Sequence, residues 1–119
     1  MSFEKACAVA DLRPDEALAV TVGAYDVALV RDGDEFFAIE DQCSHAAVPL
    51  SEGEVTTDIE GCTVECWLHG SRFDLRTGKP IGLPATEPVA TFPIEVRGPE
   101  DQQDVYVDTD TTLNGVTPA

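Results

Sequence analysis

Both histidines of this 119-residue chain stand beside a cysteine, in Cys43-Ser44-His45 and in Cys66-Trp67-Leu68-His69. Two thiolates and two imidazoles form a soft-to-borderline donor set, suited to zinc or to iron–sulfur chemistry and ill-suited to calcium or magnesium. The order of the donors bears on the choice. A zinc finger groups its cysteines first and its histidines afterwards, so that each pair closes on one ion. Here each segment offers one Cys and one His. If the two cysteines share one iron and the two histidines a second, each segment spans both metals of a [2Fe–2S] rhomb. A structural zinc site is the alternative.

Those donors lie where the strand rhythm fails. Elsewhere the chain reads as short β segments. Leu18, Val20 and Val22 alternate onto one face, Tyr25 to Val30 is rich in branched residues, and Asp32-Gly33-Asp34 marks a hairpin into Glu35–Ile39. Phe92, Ile94 and Val96 alternate again, and Gly98-Pro99-Glu100-Asp101 turns the chain into Val105-Tyr106-Val107. A helical turn fits only between Asp11 and Ala17, and residues after Asp108 are expected to fray. From Asp41 to Glu54 and from Trp67 to Pro88, glycine and proline are dense and strand signal is weak. Long irregular stretches in a small domain point to functional loops, and a metal centre would hold them together. The fold expected is all-β, an antiparallel sandwich or small barrel.

The loops carry a wider pattern: Cys43-Ser44-His45 with Leu50-Ser51-Glu52-Gly53, and Cys66-Trp67-Leu68-His69-Gly70-Ser71-Arg72-Phe73-Asp74 with Thr77-Gly78 and Leu83-Pro84-Ala85. In this the sequence resembles the Rieske iron–sulfur family over roughly residues 3–108. The twenty residues between His45 and Cys66 exceed the family spacing slightly, and Thr56-Thr57-Asp58 is expected to be a harmless insertion at a hairpin tip. The resemblance implies a Rieske-like antiparallel β base carrying a loop-rich cluster-binding subdomain at about residues 42–86, within one domain spanning 1–108, and a flexible tail at 109–119. It implies one [2Fe–2S] cluster held by Cys43, His45, Cys66 and His69. Ser71, Trp67, Phe73 and Pro84 would surround it.

Charge explains the mixed ligands. Two ferric ions, two sulfides and two thiolates are neutral together, whereas four thiolates would make reduction harder. Histidine ligation therefore raises the potential, to roughly −150 to +300 mV against about −400 mV for plant-type clusters. High-potential members carry a disulfide between the ligand loops, but Val48 and Leu68 occupy those positions here. They also place a tyrosine hydroxyl near a ligand sulfur, where this chain has Phe73. Ser71 is retained as a donor to a bridging sulfide. The resemblance thus implies a potential at the low end, as in Rieske-type ferredoxins. Trp67 is expected to pack over the cluster, with a docking face as the alternative. Ala46 to Leu50 reads equally as an apolar rim or as loop packing. Cys62 shares a strand face with Val64 and Cys66 and is expected to be a small buried residue, with a spare ligand the lesser reading. Cys7 is expected in the core, a Cys7–Cys62 disulfide being the lesser reading.

Seven Lys and Arg against twenty-three Asp and Glu give a net charge of −16 and a pI near 4.1. Nucleic acid and anionic membranes are excluded as partners, because both need cations against phosphate. No secretory signal and no long apolar run is visible, so a cytoplasmic monomer with reduced thiols is expected. The resemblance implies a one-electron carrier and not an enzyme. It would shuttle between a flavin-containing NAD(P)H reductase and a terminal oxygenase, both with basic docking surfaces. Alternatives are an accessory protein of iron–sulfur cluster assembly, acting on the assembly proteins, and a zinc-stapled interaction module.

Overall fold

A computed structural model describes residues 3–13, 16–32, 35–43, 48–58, 61–67, 70–81 and 87–116. Among the described residues ten strands form three antiparallel sheets. Strands β1 (Glu4–Ala8), β10 (Asp104–Val107) and β9 (Ile94–Arg97) pair in that order. Strands β2 (Ala17–Val22), β3 (Tyr25–Asp32) and β4 (Glu35–Glu40) make a meander. Strands β5 (Val55–Asp58), β6 (Gly61–Glu65), β7 (Arg72–Asp74) and β8 (Pro80–Ile81) make the third sheet. Among the described residues no helix is long and apolar enough to cross a membrane.

The meander is the middle layer, and its sequence explains why. Val27, Ala28, Leu29 and Val30 are all fully buried, which a strand with one wet face does not allow. Successive side chains point to opposite faces. Ala28 and Val30, with Phe37 and Ile39, enter one core together with Cys43, Leu50, Val64, Cys66 and Phe73. Val27, Leu29 and Ala38 enter a second core with Phe92, Val105 and Val107. One sheet thus serves two cores, and each fully buried Val or Leu contributes about 1.5–3 kcal/mol.

The all-β expectation holds, and the alternation in β2 is as read: Val22 is buried while Ala19 and Thr21 are exposed. Four local expectations change. The helical turn is a 3-10 turn at Val9–Asp11, held by the Asp11 carboxylate accepting the Ala8 N–H. Thr56, Thr57 and Asp58 lie in the β5 ladder, paired with Thr63, Cys62 and Gly61, so they lengthen a strand and are not its tip. The second irregular stretch holds β7 and β8, too short for an alternation to register. The tail makes contacts that a freely fraying segment would not. Leu113 N–H bonds to Thr91 O, Asn114 makes four hydrogen bonds, and Val116 packs on the second core.

Candidate metal centre

Cys43 follows β4 and Cys66 follows β6, and the two strands deliver both thiols to the same core. Their exposures are 1% and 0%, and both are free of disulfides. Cys62, Val64 and Cys66 are buried on one face of β6 as expected from alternation, Thr63 and Glu65 being half-buried between them.

Each cysteine opens a loop that the backbone pinches shut. Cys43 N–H donates to Val48 O at 3.0 Å. Cys66 N–H donates to Ser71 O at 2.6 Å, and Gly70 N–H returns to Cys66 O at 2.8 Å. Gly70 adopts φ +76°, a left-handed conformation that favours glycine and lets the second loop reverse so tightly. His45 stands in sequence inside the first closure and His69 inside the second. Both histidines, Leu68 and Pro84 lie outside the described residues. Among the described residues no group of three or more His, Cys, Asp or Glu could hold a metal. The donor chemistry fits an iron–sulfur centre on the sulfur side: two reduced, water-excluded thiols brought to one core from two loops.

The surrounding expectations divide. Ser71 and Phe73 are fully buried beside Cys66, in keeping with a place near the centre. Trp67 is 53% exposed, so its ring turns outward and is not packed in the core. Val48 and Leu50 pack on the core, which makes that part of the first loop packing and not rim.

Two supports escaped the sequence reading. Asp41 clamps the first loop, its Oδ1 accepting Ser51 N–H at 2.6 Å and its Oδ2 accepting the Ser51 hydroxyl at 2.7 Å. Gly53 passes so close to β6 that an added Cβ would overlap the Glu65 carbonyl oxygen. The Gly in Leu50-Ser51-Glu52-Gly53 was the available signal for the second; a carboxylate ten residues from its serine gives none.

Cys62 is buried as expected, but its thiol is engaged: Sγ donates to Asp32 Oδ2 at 2.9 Å. Burial, the bond to Asp32 and the carboxylate charge push it up to about 12. Burial, then the charges of Asp11 and Asp104, push Cys7 up to about 11. The two thiols belong to different cores and neither is in a disulfide, so no Cys7–Cys62 bridge forms. A thiol whose pKa is raised on folding holds its proton more tightly in the native state. Its contribution is complete below the unfolded value near 9 and is lost as pH climbs toward 11–12. Denaturant midpoints should therefore be insensitive to these thiols at pH 7–8 and fall above pH 9. Cys62→Ala should flatten the alkaline decline, and an equally steep decline in that variant would refute the assignment.

A three-sheet antiparallel scaffold with two sheltered thiols on adjacent pinched loops defines a small β metalloprotein. The family model for the Rieske [2Fe-2S] domain matches residues 2–93, and the chain belongs to that family. The ferredoxin subunit of 3-phenylpropionate/cinnamic acid dioxygenase from Escherichia coli (strain K12) is 44% identical over 103 residues, covering 87% of this chain and 90% of that protein. The ferredoxin of carbazole 1,9a-dioxygenase from Nocardioides aromaticivorans IC177 superposes with a TM-score of 0.77 at 35% identity, covering 88% and 97% of the two chains. A chain in a complex of reduced oxygenase and oxidized ferredoxin of carbazole 1,9a-dioxygenase matches with a TM-score of 0.75 at 40% identity, covering 88% and 91%.

Proposed function

We propose that this protein is a one-electron carrier whose [2Fe–2S] cluster is ligated by Cys43, His45, Cys66 and His69, within a cluster-binding subdomain spanning about residues 42–86. The observation that carries the reading is the convergence of two buried thiols, neither in a disulfide, from two pinched loops, each loop containing one of the chain's two histidines. When bound, the cluster supplies a single-electron couple. The chain's own residues do the rest: Val64, Leu50 and Phe73 keep water from the sulfur side, while Ser71 and Gly70 fix the loop that carries His69. The outward Trp67, adjacent to this loop, suits a docking face.

The electron donor in this reading is a flavin-containing NAD(P)H reductase and the acceptor a terminal oxygenase. The relatives named as ferredoxin subunits of dioxygenases favour it over a role in cluster assembly. With phenylalanine at 73 and apolar residues at 48 and 68, the potential falls at the low end of the Rieske range. The protein works in the cytoplasm, as a monomer. Its charge of −16 steers encounter with basic partner surfaces.

The test is iron and sulfide analysis with EPR of the dithionite-reduced protein. About two iron and two sulfide per chain, with average g below two, are expected; a colourless zinc protein overturns the reading. Transfer from an oxygenase reductase should slow severalfold as salt rises past the point where the Debye length is about 10 Å. A rate indifferent to ionic strength would return the acidity to mere solubility, and reduction by no oxygenase reductase would favour the assembly role.

A further inference from the structure

The C-terminal segment lies beyond the residues matched by the family model, which end at 93, and one of its side chains, Asn114, makes four hydrogen bonds to backbone. Asn114 Nδ2 donates to Thr77 O at 2.9 Å and to Val89 O at 2.8 Å. Its Oδ1 accepts Thr91 N–H and Val116 N–H, both at 3.2 Å. Two donors and two acceptor sites are all that a carboxamide offers, and each is used on backbone.

The carbonyls it holds are not arbitrary. Val89 N–H donates to Gly78 O at 2.9 Å, closing the loop 79–88 at its stem. Thr77 precedes Gly78 and Val89 is the other partner of that closure, so one side chain grips both sides of the stem. The chain is shaped to admit it: Gly78 has φ +74°, and an added Cβ would overlap Val89 O and sit 2.8 Å from Asn114 Nδ2. Beyond the stem, β8 pairs with β7 through Pro80 opposite Phe73. Immediately before β7 stands Ser71, whose carbonyl accepts the Cys66 N–H. On the other side, the segment from Val89 to Phe92 is bound to the meander. Ala90 O accepts Glu40 N–H, Ala90 N–H donates to the Glu40 carboxylate, and Phe92 N–H donates to Ala38 O. Asn114 thus sits where the base, the closed loop and the strand pair behind the second ligand loop meet.

We infer that Asn114 is a positioning residue for the metal centre: by locking the stem of loop 79–88 it holds β8 and β7, and through them the loop carrying Cys66. The inference rests on the ligand assignment proposed above. Losing the amide leaves the Thr77 and Val89 carbonyls without these donors, so the stem is held less tightly.

The experiment uses the full-length, cluster-loaded protein as wild type, Asn114→Ala, Asn114→Asp and Val116→Ala. Val116→Ala trims a tail side chain packed on the other core and serves as the control for general loosening. Visible bleaching in the presence of an iron chelator gives the rate of cluster loss, EPR gives the g-values, and circular dichroism gives Tm. In Asn114→Ala, which removes all four bonds with water replacing them in part, loss should accelerate roughly tenfold, with a shift in g-values. Asn114→Asp keeps the acceptor oxygen but presents a carboxylate to the stem carbonyls, so it should resemble Asn114→Ala. Val116→Ala should lower Tm while leaving the g-values and the rate of loss near wild type. Wild-type g-values and loss rate in Asn114→Ala overturn the inference, as does equal acceleration in Val116→Ala at matched Tm. A wild type without iron overturns the ligand assignment itself, which separates the two failures.

Discussion

A His69→Cys protein is expected to hold its cluster at a markedly lower potential or to hold none, and His69→Ala to hold none. A third thiolate adds one negative charge to a centre that is neutral when oxidised, and it stabilises that oxidised form. The gap between mixed and all-cysteine centres, several hundred millivolts for two such replacements, puts the expected fall on the order of 100 mV or more. Cys43→Ser and Cys66→Ser should abolish cluster binding, because both thiols are fully enclosed and no other described thiol is placed to substitute: Cys62 is bonded to Asp32 and Cys7 belongs to the other core. Optical redox titration with iron analysis reads the outcome. Unchanged iron content and midpoint in His69→Cys would remove His69 from the ligand set.

Gly53→Ala should damage the protein severely for a single added methyl. Gly53 has ordinary dihedrals, φ −86° and ψ 171°, so the constraint is space and not conformation. A Cβ there overlaps the Glu65 carbonyl oxygen and lies 2.8 Å from its carbon. Both are backbone, so no side chain can swing aside. The same approach carries the bond from Glu65 N–H to Glu54 O at 2.8 Å, which joins the end of the first loop to the residue preceding Cys66. Separating the strands weakens that bond and shifts one thiol relative to the other. Overpacking of this kind costs about 1–3 kcal/mol and sometimes more, which for a domain of this size lowers Tm by roughly 10 °C. Iron occupancy should fall with it. Thermal melts and iron content that match wild type would show that the backbone yields there at no cost.

Much of this protein was legible before any tertiary contact was known, and the physical reason is locality. Alternation in β2 and β6 follows from the two-residue period of a strand, so Val22, Cys62, Val64 and Cys66 could be placed on buried faces from their spacing alone. Donor chemistry is equally local: thiols and imidazoles are soft-to-borderline ligands wherever they sit, and pairing one of each per loop already pointed to two metals. The strands β7 and β8, three and two residues long, were beyond such reasoning because a period cannot register in so few positions.

The sequence by itself determined the chemistry and the class of scaffold. Only the tertiary structure decided which residues hold that chemistry in place. It set one meander between two cores, so that neighbours in β3 serve opposite sides. It also joined Asp41 to Ser51, Cys62 to Asp32, Gly53 to Glu65, and Asn114 to Thr77 and Val89. Each pairing links positions between ten and thirty-seven residues apart. A hydrogen bond or a close backbone approach between such positions leaves no periodic trace in the chain. It exists only once the strands have brought the partners together.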